Sequence, residues 1–388
     1  MLKQLKKIDA ILDQIIKNTR KYKKPIFFKY VIKVDSNINT IKKNLFNQEH
    51  TIYMNLPGNK ESYIGSGIKI KNKLDEKYTI LSNDSNKDIT IFGINTFNKE
   101  NKNNFPWGKL KKDYFVIPEI LLIINQNSTL NFNFIIDDKT SIEQVKEYIN
   151  KTLKKLLTKV DIKSNQTIKS TKKEIQPNKK QYLKIFNKTK KAINNNIAEK
   201  IVLSKIEKHS IMKKVNMYQI HKDMENKYKD CFNYIVQLNK DEYFIGSSPE
   251  LILKLKQNKI STISLAGTST NKNKLNEIKE VKEQEYVTKY LKDIFEKIGT
   301  ETKKTKTKKL QLNYAYHLKT KISAKIKNKK HILELLNIIH PTPALSGYPK
   351  KEAMNFITKT EPFNRGYYAG AIGLYNLKGE GFFYAGIR

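Results

Sequence analysis

A single cysteine, Cys231, in 388 residues cannot form an internal disulfide and lacks the paired spacing of a zinc site, which fits a reducing compartment. No apolar run is long enough to cross a bilayer, and the lysine-rich start carries no small-residue cleavage site behind an apolar block. The expectation is a soluble, cytoplasmic protein with no membrane partner. Arginine is nearly missing as well, standing only at 20, 365 and 388 among 75 Lys and Arg residues. A net charge of +38 would ordinarily suggest a polyanion partner. Lysine, however, is spread through every segment beside abundant Asn and Ile, the pattern of A/T-rich codons, whereas phosphate recognition favours the bidentate fork of arginine. Nucleic acid is therefore not the expected partner, and Arg365 and Arg388 stand out. No repeat of fixed period is present.

What is there is a chain long enough for one large or two ordinary domains. Apolar residues at helical spacing (Leu5, Ile8, Ile11, Leu12, Ile15) predict a helix over Lys3 to Thr19. Extended segments follow at Ile26–Lys33, Thr51–Asn55, Tyr63–Ile70, Tyr78–Leu81 and Asp88–Gly93, then Ile120–Ile124 and Leu130–Ile136, with a helix from a Ser141 cap to Lys159. Residues 161–180 are polar and read as an exposed linker between an N-terminal scaffold half, 1–160, and a second half, 181–388. That second half predicts helices at Lys180–Asn195, Val215–Lys227, Lys274–Ile298 and Ile332–Ile339. Strands are expected at Ile201–Ile206, Asn233–Leu238, Glu242–Ile245, Leu251–Lys256, Ile260–Leu265 and Leu310–Ile322, with a hairpin tip at Lys303–Lys309. Meandering strands interleaved with long helices argue for an α+β fold.

Near the end, His340-Pro-Thr-Pro-Ala-Leu-Ser-Gly-Tyr-Pro349 and Glu361-Pro-Phe-Asn-Arg-Gly-Tyr-Tyr-Ala-Gly-Ala-Ile-Gly373 concentrate residues that set the backbone. Such punctuation makes a shaped pocket wall or, equally, an ordinary loop. Other stretches are as ambiguous taken singly. Lys200, before an apolar run, is ordinarily a solvated flank. Glu250, after Gly-Ser-Ser-Pro, is ordinarily an exposed strand end. Glu280 and Glu283 share a helix face, as many solvated glutamates do.

Together these stretches resemble the chorismate-binding enzymes and, within them, the isochorismate synthases. The pattern HPTPALSGxPxxxAxxxIxxxEPFxRGxYAGxIG matches, and so do AEKIVLSK, GSSPE, LAGT, KExxE and HL, with coverage strong from about residue 195 onward. The resemblance implies a two-layered β-sandwich flanked by helices, with the site between layers in residues 181–388. It implies Lys200 as the base that activates water, where amine-transferring relatives have glutamine. Such a lysine needs burial or cationic neighbours. Glu250 becomes the acid that protonates the departing C4 hydroxyl of chorismate. Gly267, Thr268, His317, Ala344, Leu345, Tyr368 and Arg388 are implied to hold the substrate, His317 by orientation and Arg388 through a carboxylate. Glu283, with Glu280, is implied to bind Mg2+ against the ring carboxylate.

The implied activity is isomerisation of chorismate to isochorismate by a monomer, feeding menaquinone or siderophore synthesis. A salicylate synthase shares Lys200 and Glu250 and is the rival enzyme. Two departures are visible: Ser269 stands where pyruvate-releasing, amine-transferring relatives have arginine, and Gln284 replaces a histidine. The family also continues past the strand ending at Arg388 with a turn and a helix bearing a second metal glutamate. The expectation is thus a truncated chain with little activity by itself.

Overall fold

In Phe232–Asn239 alternate side chains go to opposite layers. Phe232, Tyr234, Val236 and Leu238 enter one apolar cluster and Ile235 enters another. The first cluster also holds Ile52 and Leu121 from one sheet and Ile94, Ile372 and Leu374 from a second, so it is the interior of a two-sheet sandwich. This computed structural model describes the chain apart from residues 1–7, 23–24, 72–78, 81–88, 111, 161–169, 213–214 and 313–314.

The first sheet has eight strands, ordered Glu242–Ser248, Phe232–Asn239, Ile52–Asn55, Ser62–Ser66, Ile120–Ile124, Thr129–Ile136, Ile26–Lys33 and Thr79–Ile80. All its neighbours are antiparallel except the last pair. The second runs Gly299–Lys304, Ala315–Ile326, Lys259–Ser269, Leu251–Lys256, Gly381–Ala385, Ala371–Tyr375, Ile91–Asn95, Tyr114–Ile117 and Ile70–Lys71, with Lys308–Leu312 also on Ala315–Ile326. Each sheet mixes strands from before residue 160 and after 181: Phe232–Asn239 pairs with Ile52–Asn55, and Ala371–Tyr375 with Ile91–Asn95.

Helices cover both outer faces. Over the first sheet lie α1 (Ile8–Tyr22), α2 (Ile38–Phe46), α3 (Ile142–Leu157) and α5 (Met217–Lys227), burying Leu12, Leu45, Ile149, Leu153 and Met224 against Ile64 and Ile235. Over the second lie α6 (Ile278–Ile298), α7 (Ile332–Ile339) and α8 (Lys350–Thr360), burying Val287, Phe295, Leu335 and Ile357 against Leu253 and Ile322. Each such side chain contributes roughly 1.5–3 kcal/mol of transfer free energy. The remaining helix, α4 (Lys179–Asn194), starts on an Asn178 cap and leads to the site. The α+β sandwich is thus as expected. No helix among the described residues is long and apolar enough to cross a membrane.

Three expectations on elements are corrected, and one helix was missed. The linker 161–180 is structured where it is described: Ser170–Gln176 pairs with Ile206–Ile211, and α4 begins at Lys179. That ribbon is polar because most of its residues are exposed, which is why it read as a loop. α2 was not anticipated. It is only 9 residues long, and Asn44 ties it to α3 through Leu156 O and Thr158 O, both at 2.8 Å, so packing and not propensity holds it. Leu310–Ile322 is two strands, Lys308–Leu312 and Ala315–Ile326, not one. Lys303–Lys309 is no hairpin tip, since Gly299–Lys304 and Lys308–Leu312 pair in succession along one edge of Ala315–Ile326.

Candidate active site

The two-residue strand Lys200–Ile201 pairs antiparallel with Gly347–Tyr348. Gly347 has φ +137°, and a Cβ there would collide with the Lys200 carbonyl, so glycine is what lets these segments meet. The expected strand Ile201–Ile206 breaks after Ile201 because side chains capture its backbone. Ser204 donates from N (2.9 Å) and Oγ (3.0 Å) to Glu361 Oε1, and Arg365 Nη2 donates to Val202 O at 2.6 Å. Arg365, 3% exposed, also donates to Leu345 O (2.9 Å) and to both oxygens of Glu361, and its guanidinium lies 4.5 Å from the Phe97 ring centre. A lysine could not make this fork.

So held, Lys200 buries its amine 3.0 Å from Glu283 Oε1 on α6. The expected burial is present, but the close neighbour is a carboxylate and not a cation.

Glu250 follows Pro249 at the start of Leu251–Lys256 and is buried; its carbonyl accepts from Ala385 N at 3.0 Å. Thr342 Oγ1 donates to Glu250 Oε1 at 3.2 Å. Burial pushes the Glu250 carboxyl up to about 7, against the opposing pull of the Thr342 hydrogen bond and of the positive charges of Arg388 and Lys200. Lys200, Glu250 and Arg388 therefore share one electrostatic neighbourhood, and Glu250 is poised to carry a proton near neutral pH.

The third group grows from the strand Lys259–Ser269. Its register shifts between Ala266 and Thr268, with Gly267 at φ +64°, where a Cβ would stand 2.8 Å from Glu280 O. Two α6 side chains hold this bulge: Glu280 Oε2 accepts from Thr268 N at 2.7 Å, and Gln284 Oε1 accepts from Ala266 N at 2.8 Å. Thr268 Oγ1 lies 3.0 Å from His317 Nδ1, and Arg388 Nη1 donates to His317 Nε2 at 3.2 Å. The Arg388 carbonyl accepts from Ser247 N at 2.8 Å.

Among the described residues, the two glutamates expected at Mg2+ are engaged with the protein's own groups. Glu280 spends its oxygens on Thr268 N and on Lys279 Nζ (3.1 Å), and Glu283 pairs with Lys200. Among the described residues no three His, Cys, Asp or Glu side chains gather, whereas Mg2+ takes near-octahedral oxygen coordination. No step below is routed through a metal.

Of the remaining expected residues, Leu345 is buried in the apolar cluster with Ile339 and Ile357, and Ala344 packs partly buried against it. Tyr368 is 44% exposed. A cavity of about 460 Å³ borders His317 and Arg388 and runs between Met224, Cys231, Ile245 and Leu312; neither Lys200 nor Glu250 is in its wall. The reading of the sequence missed Thr342, Glu361 and Ser204. Thr342 and Glu361 lie inside the conspicuous C-terminal pattern, the one signal that could have flagged them.

Residues 13–388 match the family model described as chorismate binding enzyme. Isochorismate synthase MenF of Haemophilus influenzae is 26% identical over 277 residues, covering 67% of this chain and 62% of the relative. Isochorismate synthase EntC of Escherichia coli is 30% identical over 169 residues, covering 40% and 43%. The matches thus span less than two thirds of either relative's length. Among solved structures, that of MenF, the menaquinone-specific isochorismate synthase from Escherichia coli, has a TM-score of 0.79 at 19% identity, covering 97% of this chain and 90% of that one, a likeness of fold.

Proposed function

Because the chain belongs to the chorismate-binding enzymes, we propose that it is an isochorismate synthase in which Lys200 is the base and Glu250 the acid. Lys200 takes a proton from water as the water oxygen bonds to C2 of chorismate. The ring double bonds shift, the C4–O bond breaks, and the Glu250 proton leaves with the hydroxyl as water. Atoms balance and no oxidant or reductant is needed, so the reaction is an isomerisation. One observation carries the reading: a buried carboxyl held up to about 7 stands within electrostatic reach of a buried amine. Arg388 supplies the fork for a substrate carboxylate.

The test is incubation of the 388-residue chain with chorismate and separation of the products. Isochorismate, formed at the low rate expected of this chain and lost with Lys200→Ala or Glu250→Gln, is expected. Salicylate with pyruvate would replace the reading by a salicylate synthase, and unchanged chorismate would reject it.

A further inference from the structure

We infer that His317 is a positioning residue: a neutral imidazole, protonated on Nδ1, that aims the Arg388 guanidinium and is itself aimed through Thr268 by Glu280 of α6. The inference rests on the proposed function only in taking Arg388 to grip the substrate.

The tautomer follows from donor arithmetic. Arginine has donors and no acceptor, so the 3.2 Å contact from Arg388 Nη1 requires an unprotonated His317 Nε2. The ring proton is then on Nδ1, 3.0 Å from Thr268 Oγ1, which accepts it. His317 is 1% exposed, and placing a second positive charge on this buried ring beside Arg388 would be costly. Burial, with Arg388 adding to it, holds the imidazole down to about 4.

The upstream link is equally specific. The bulge leaves Gly267 out of the ladder and sets Thr268 opposite His317, and the Thr268 amide donates to a buried carboxylate, a charge-assisted bond at 2.7 Å. Gln284, one turn along the same helix, fixes Ala266 N and donates to Thr320 Oγ1 at 3.0 Å on the His317 strand. α6 therefore orients both ends of the site, the Arg388 grip through Glu280 and the Lys200 amine through Glu283. Glu280 is then a bracket for the bulge.

Two experiments test this. In protein labelled with 15N-histidine, the ring nitrogens of His317 are expected to show one protonated Nδ1 and one bare Nε2 between pH 6 and pH 8. A doubly protonated ring, or a proton on Nε2, overturns the inference, and this readout needs no turnover. If the chain does not convert chorismate, the proposed function fails while the tautomer remains decided. With turnover, His317→Leu should raise KM about 10- to 100-fold, the loss of one hydrogen bond to a charged group, with kcat nearly unchanged. His317→Gln, whose Oε1 can still accept from Arg388, should recover most of that loss. A fall in kcat of about 100-fold in both variants, with loss of one limb of the pH profile, would instead make His317 a proton-transfer group.

Discussion

The amine of Lys200 and the carboxylate of Glu283 stand 3.0 Å apart, one buried, the other one-third exposed at its side chain. The pair joins a two-residue strand fixed by the C-terminal pattern to a helix that also clamps the Gly267 bulge. Replacing Lys200 by alanine removes the proposed base and should lower turnover at least about 100-fold, the lower end of a general-base contribution. The fold should survive, so the far-ultraviolet circular dichroism spectrum is expected to stay as in the parent. Residual activity above one tenth would remove Lys200 from the mechanism.

Glu250 offers a pH test with a defined sign. Its carboxyl is raised from 4.5 to about 7 in the folded chain, so between these values the folded state binds the proton more tightly than the unfolded state. Stability contributed by this group is full below about 4.5 and declines as pH rises to about 7. The magnitude is a few kcal/mol for so buried a group. Urea midpoints of the parent and Glu250→Gln, compared at pH 5 and pH 8, should show the variant gaining on the parent at the higher pH. Turnover by the parent should fall above pH 7 as the acid loses its proton.

Thr342 should tune that limb. Its hydrogen bond lowers the Glu250 value, so Thr342→Val should raise it further and move the falling limb of activity to higher pH. Carboxyl titration of Glu250 by 13C resonance gives the same answer without turnover. A downward displacement would contradict the assignment.

Arg365 should resist replacement by the residue this chain uses almost everywhere else. Arg365→Ala leaves Glu361 buried without its counter-charge, held only by Ser204, and should cost about 3–5 kcal/mol in denaturant unfolding. Arg365→Lys cannot reach Val202 O, Leu345 O and both Glu361 oxygens together and should recover only part. Full recovery would mean that the fork geometry is unimportant.

Gly347→Ala should be worse than an ordinary surface change. Its φ of +137° disfavours any side chain, and the new methyl would meet the Lys200 carbonyl. A loss of about 2–4 kcal/mol is expected, together with loss of the pairing of Lys200–Ile201. Amide exchange at Val202, whose N donates to Ser346 O at 2.9 Å, reports that pairing directly and should become fast in the variant.

The sequence was most legible where local rules suffice. Alternation in Phe232–Asn239, capping at Ser141 and the spacing of α6 follow from periods of 2 and 3.6 and from cap chemistry. It was least legible where lysine was everywhere. The ribbon Ser170–Gln176 looked like linker because neither face carries an apolar signal. The break after Ile201 depends on Arg365, 163 residues away from Val202, which no local pattern contains. Glu280 and Glu283 looked equivalent on one helix face, yet one is buried against a backbone amide and the other pairs with Lys200.

Residue types and spacing alone thus sufficed for the α+β class and for singling out a few arginines, because backbone punctuation and rare side chains are written locally, whereas the sandwich, and Lys200 and Glu250 as the base and acid proposed here, came from resemblance to the chorismate-binding enzymes. Which carboxylate braces a bulge, which threonine holds the acid, and how histidine aims an arginine were decided only by folding. These roles depend on burial and on hydrogen bonds between strands far apart in the chain, and desolvation exists only once the sheets have closed over them.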